Sequence, residues 1–401
     1  MISTLKNIKK LTLFALLVSL ATNVYANEKD VPEPFRGDNP SSSYTIQYND
    51  IDVLLRGTVL ATGMSDRAKA KESFAEIGTR IKTNVNTLTA LEGNRFFFEA
   101  FETPEDKAIL TSIRKNLEEL PTNAPLKYFH KSEQLAYWLN LYNITLLDEL
   151  VKIYPVRDLE DHLEGKKSLL NKKLLKVAGV DLSLNDIHHK ILMPKYDNDP
   201  LIMYGLYQGV IGGPSIRREA YKGDSVYSAL KENAYEFVNS NRGTYADKGG
   251  VFRVSSLYER NEKYFPNFKN DLKAHLYNYI IGDMGYYLDE SKKIRTNISN
   301  WDITDIYGSK RKSGSSAASS EAALLDAGSS NNSSLPEQLK GSGIFTQGAL
   351  SDTFSKLSPQ ISRFTPEQLA QIRALHFKAA DNAGRVEVTD FEQEESADQQ
   401  Q

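Results

Sequence analysis

The sequence predicts an α+β fold: a mostly helical domain with a small antiparallel sheet, then a disordered linker and a short helical tail. Three observations predict it. Several long segments repeat apolar residues at helical spacing and carry their own caps. One stretch, Val251 to Val254, alternates as a strand does and is entered from a glycine turn. After Tyr307 the composition turns abruptly to Ser, Gly and Asn, too poor in large apolar residues to offset the entropy of ordering.

The first 26 residues read as a signal peptide. Lys6, Lys9 and Lys10 precede the apolar run Leu11 to Ala21, and Val24-Tyr25-Ala26 supplies small residues for cleavage after Ala26. The run is short for a membrane span, and no later stretch approaches one, so no transmembrane segment is expected in the mature chain. An exported protein, periplasmic or secreted, follows. The chain contains no cysteine, which excludes disulfides, thiolate metal sites and a thiol nucleophile. The net charge of −3 gives no reason to expect a nucleic-acid partner. A peptide or a cell-envelope component is the expected kind of partner, and no cofactor or metal is called for.

Residues 27–45, with Pro32, Pro34 and Pro40, read as an extended leader to a domain over 46–307. Ile51, Leu54, Leu55 and Val59 mark a helix within 50–63, and a basic, alanine-rich helix is expected at 65–82. "TPEDKAILTSIRKNLEELP" has Thr103 as N-cap, Pro104 at the first helical position and Pro121 as its expected stop. "SEQLAYWLNLYNITLLDELVKIYP" carries the broadest apolar stripe, through Leu135, Trp138, Leu139, Tyr142, Leu146 and Leu150. Ser183 and Asp186 form a capping-box pattern that opens a helix with His188 and His189. Strands are expected near 201–210 and 251–257, and "NDLKAHLYNYIIGDMGYYL" reads as a late helix. The linker spans 308–343. Over 344–401 come short amphipathic helices, one capped by Thr365, and an acidic, glutamine-rich end.

The candidate site centres on "QGVIGGPSIRREAY", residues 208–221. Gly209, Gly212 and Gly213 lack the lysine of a nucleotide phosphate loop, and Ser215 lacks the second glycine of a hydrolase elbow. A tight bend fixed by Pro214 satisfies the same residues. His188 and His189 are candidate bases. Adjacent helical residues project about 100° apart, so the pair does not form a metal site, and His188 falls nearer the buried face. Asn143 either pins a neighbouring backbone or orients a histidine. Arg217 and Arg218 are candidate anion ligands or members of surface ion pairs. Trp301 reads as a plug that closes the domain, with Asp302 and Asp305 as turn residues.

In this order, these pieces resemble a bacterial and plant family known as domain of unknown function 547. "LAYWLNLYNIT" (135–145) is similar to its "LAFWINLYNALT" helix. "YPVRDL" (154–159), "SLNDIHHKIL" (183–192) and "QGVIGGPSIRREAY" match its next three motifs, and "SNWDITD" (299–305) resembles its ending. The resemblance implies a papain-like or transglutaminase-like core, with a catalytic histidine at His189 and a nucleophilic cysteine at Gly213. The family's other cysteine falls on Gln208. Glycine cannot serve as a nucleophile. Three readings follow: a non-catalytic binding or scaffold module; a hydrolase with Ser215 as nucleophile, His189 as base and Asn143 or Asp186 as orienter; and a small-anion site over 209–218, built from Gly213 and Arg217.

Overall fold

The helix Lys131–Ile153 gathers the structure around itself. The computed structural model describes residues 28–70, 86–247, 249–306, 350, 353–354 and 362–383, with 378–383 as backbone alone. The expected signal peptide, most of the 65–82 segment and the linker lie outside these residues. In chain order the helices are α1 (Asn49–Thr58), α2 (Pro104–Asn123), α3 (Lys131–Ile153), α4 (Glu160–Leu163), α5 (Leu184–Asp186), α6 (Met193–Lys195), α7 (Val226–Val238), α8 (Ser256–Arg260), α9 (Phe268–Tyr277), α10 (Asp283–Asp289) and α11 (Pro366–Ala383). The strands are β1 (Val59–Leu60), β2 (Arg95–Phe96), β3 (Leu175–Val177), β4 (Val180–Leu182), β5 (Thr244–Ala246), β6 (Val251–Ser255) and β7 (Lys293–Ile298).

Nearly all of α3 is buried, and Trp138 is fully enclosed. Each such large apolar side chain contributes about 1.5–3 kcal/mol through burial. α2 packs along α3. Thr103 caps α2 by accepting from the Asp106 amide, as its sequence predicts. Pro121 does not stop α2, which continues to Asn123. Proline at 121 cannot donate to the Leu117 carbonyl, but the Tyr137 hydroxyl of α3 donates to it at 3.0 Å. A neighbouring helix thus supplies the bond that proline removes.

Four other expectations are corrected. Residues 65–70 are not helical. The segment expected as a strand at 201–210 begins as a 3₁₀ helix, Pro200–Gly205, capped by Asp199. It packs between α3 and α7, where a Cβ at Gly205 would lie 2.5 Å from Leu230 and 2.9 Å from Leu139, so only glycine lets the three segments meet. The late helix is broken into α9 and α10 at Gly282, whose φ of +63° suits glycine alone. Finally, the leader expected to be extended includes two short 3₁₀ turns, Glu28–Asp30 and Glu33–Phe35, and packs against the core. Val31 and Phe35 are fully buried, Phe35 meets Trp138 edge-on, and Lys195 Nζ donates to the Phe35 and Gly37 carbonyls.

The sheets are small. β1–β2, β3–β4 and β5–β6 are antiparallel, as the fold class requires, while β7 joins β6 in parallel. Residues 300–306 then thread back through the domain as a single extended segment. The Thr304 amide bonds Gly209, the Ile211 amide bonds Asp302, and the Phe96 amide bonds Thr304. The segment therefore staples the 208–213 loop to β2 and to the chain after α3. Asp302 is less a turn residue than the ion partner of Arg157, and Asp305 accepts from the Tyr154 hydroxyl.

Candidate functional site

A cavity of about 320 Å³ opens between the turn at 163–171, the histidine helix, the 203–208 segment, α8 and Trp301. This is the low end of the range for small-ligand pockets. Its geometry starts from Ser183, which closes a capping box with Asp186. Beyond Asp186 the helix widens into a π-helix over Ile187–Leu192. A wider turn shrinks the angle between successive residues. The His188 and His189 side chains nonetheless fold towards each other; their rings stack with centroids 4.0 Å apart, and both residues line the cavity.

The surroundings keep both imidazoles neutral. Burial, reinforced by His189 and Lys263, pushes His188 well below its ordinary range. His189 is pushed down to about 4 by burial and by Lys263. Its Nδ1 lies 2.6 Å from the Tyr264 hydroxyl, and burial keeps that phenol protonated. Two buried polar atoms on this wall, His188 Nε2 and Asn261 Oδ1, have no partner among the described residues.

Gln208 lines the same cavity, and its Oε1 accepts from Arg260 Nη2 at 2.8 Å. Arg260 Nη1 donates to Ser256 Oγ within α8, and the guanidinium lies 4.9 Å from the centre of the Trp301 ring, a cation–π distance. Glu164 approaches Nε only to 3.8 Å, too far for a hydrogen bond. Arginine stays charged although burial lowers its pKa. Sequence reasoning missed Arg260 and Tyr264 altogether. The pairing of Arg260 with an amide and an aromatic ring has no one-dimensional signal, because Gln208, Arg260 and Trp301 are far apart in the chain.

The other expected site residues fall elsewhere. Asn143 donates to the Gly205 carbonyl and accepts from the Tyr207 amide, so it pins the 205–207 backbone. Asn140, one turn earlier, clamps Tyr221 in the same two-way manner. Ser215 is buried and does not line the cavity. Its Oγ accepts from the Asn94 amide and from Arg242 Nη2. Asp186 is engaged by Ser183, Lys173 and Lys190. Arg217 bonds the Ala229 carbonyl and Glu232, and Arg218 bonds the Arg56 carbonyl. A Cβ built at Gly213 would meet Gln208 Cβ at 3.0 Å, and the Gly213 carbonyl accepts from Arg242 Nε. The structure thus brings together His188, His189, Gln208, Arg260 and Trp301, and sets Ser215, Asn143 and Arg217 into the scaffold around them.

Residues 126–238 match the model of the family described as "Protein of unknown function, DUF547". This is the family expected from the motifs, and the matched segment contains the α3 helix, the histidine helix and the glycine loop. No curated protein and no solved structure matches the chain.

Proposed function

We propose that this chain, whose central segment belongs to that family of unknown function, is an exported, non-catalytic binding protein. In this reading the cavity is kept and the chemistry is lost. One observation carries it: in the cavity lined by two neutral imidazoles, at Gln208, where the resemblance places the family's other cysteine, the chain sets an amide held by a guanidinium. The second cysteine position, Gly213, is closed against Gln208. A nucleophile needs an adjacent base to activate it. His189 shares its Nδ1 with a phenol, and the Ser215 hydroxyl faces Arg242 instead. The arginines of the 209–218 loop serve neighbouring carbonyls and carboxylates, so that loop offers less to an anion than Arg260 does.

Trp301 provides the test. It lines the cavity, whereas Trp138, the second of two tryptophans, is fully buried in the core. Titration of the protein recovered from the cell envelope or medium, with Asn27 as its first residue, against peptides, sugars, carboxylates and phosphates should give saturable changes in Trp301 emission. No peptide or ester should be turned over. Hydrolysis that disappears in His189→Ala would overturn the non-catalytic reading, and a full-length amino terminus would overturn export.

A further inference from the structure

We propose that the ligand of this cavity is a small monoanion bound through a carboxylate on Arg260; the assignment rests on the binding reading above. The charge inventory selects an anion. Arg260 brings the one guanidinium among the described lining residues, and its carboxylate neighbour, Glu164, is half-exposed and stands back at 3.8 Å. Two buried arginines show the contrast: Arg242 and Arg363 each bond several acceptors within the fold. Arg260 makes two hydrogen bonds, from Nη1 and from Nη2. Guanidinium carries five donors in a rigid fork, so Nε and a second hydrogen on each terminal nitrogen remain for a carboxylate.

The geometry also favours a single negative charge over two. The imidazoles of His188 and His189 are neutral, and Asp186 behind them is already paired with two lysines. Among the described lining residues a phosphate dianion would find one cation, with Lys263 set behind the histidines, whereas a carboxylate matches the fork in shape and charge. Trp301, stacked on Arg260, offers a flat surface for whatever the carboxylate carries. Asn261 Oδ1 and His188 Nε2, on residues that line the same cavity, supply buried polar atoms for a second polar group.

Four probes separate the possibilities: acetate, N-acetylglycine, N-acetylglycine amide and inorganic phosphate, each titrated into the full chain and followed by Trp301 emission and calorimetry. N-acetylglycine should bind saturably and more tightly than its amide or phosphate. Loss of a charged hydrogen bond of about 1.5–3 kcal/mol corresponds to roughly tenfold to a hundredfold weaker binding in Arg260→Met. Arg260→Lys keeps the charge without the fork and should fall between; it also carries the test if Arg260→Met fails to fold, as judged by its melting curve. Equal binding of the acid and its amide, tighter binding of phosphate, or an Arg260→Lys protein indistinguishable from wild type would overturn the carboxylate assignment. Neutral ligands that bind at Trp301 would leave the binding reading standing without it. Silence from these four probes overturns the assignment, and silence from the broader screen overturns the binding reading as well.

Discussion

Two arginines hold the two ends of the 208–215 loop, and they do so in opposite ways. At the far end Arg242 is completely buried and bonds the Gly213 carbonyl, the Ser215 hydroxyl and Glu236. At the near end Arg260 is 28% exposed, bonds Gln208 and Ser256, and keeps donors in reserve beside a cavity. The same residue type thus acts as a structural rivet in one place and as an open hand in the other. What separates them is how many acceptors the fold itself has supplied, not the residue or its proximity to the glycines. Ser215 and Arg217 look functional in one dimension because they flank those glycines, and in three dimensions they belong with the rivet.

The largest effect should come from Arg242→Ala. Removing one partner of a buried ion pair leaves Glu236, and Glu92 at 3.9 Å, without compensation, at a cost of about 3–5 kcal/mol. Chemical denaturation should show that loss, and a variant as stable as wild type would erase the contrast. A middle-sized effect is expected from the double variant Gln208→Cys with Gly213→Cys. The Cβ positions fall 3.0 Å apart, closer than the roughly 3.5–4.5 Å of a disulfide, so a small outward shift of the loop allows the bond. Closing so short a loop should stabilise by about 2 kcal/mol. Mass spectrometry should find the oxidised form two hydrogens lighter, and two persistently free thiols would show that the loop ends are set apart.

The smallest effect is on pH dependence, and it has two limbs. Glu133 is raised to about 7, mainly by burial, and its carboxyl meets the Ile46 amide. The native state holds that proton and the unfolded state releases it near 4.5, so stability is lost as pH rises from 4.5 through 7. His189 and His275 behave inversely. Both are held neutral down to about 4 by burial, so stability is lost as pH falls from 6.5 through 4. Melting temperatures from pH 5 to 8.5 should show the wild type falling on the alkaline side and Glu133→Gln holding steady there. Parallel curves for the two proteins would remove Glu133 from the account.

Much of the fold was legible because its signals are local. The caps at Thr103, Ser183 and Thr365 depend on residues three apart, and the stripe through Trp138 depends on helical period alone. Where the chain departs from those expectations, a distant residue decides. Tyr137 licenses Pro121 inside a helix, and Leu139 and Leu230 compress the segment expected as a strand into a 3₁₀ turn at Gly205. The β3–β4 hairpin did have a local signal, the Ala178-Gly179 turn with φ of +44° and +82°, and it was overlooked. The site was half legible. His189 and Gln208 follow from the family motifs, but the π-helix, the stacked histidines and the Arg260–Trp301 pair have no periodic signature.

The buried contact of Arg363 with Asp50 has a consequence for where this domain ends. Both guanidinium termini meet both carboxylate oxygens at 2.6 Å, the Gln47 amide bonds the Arg363 carbonyl, and Phe364 stacks on Phe129. Leu350 and Ile372 are buried in the same hydrophobic cluster as α1 and α3. The composition break at Tyr307 is therefore a boundary in the text but not in the object. A chain cut there loses the counter-charge of a carboxylate already inside the protein.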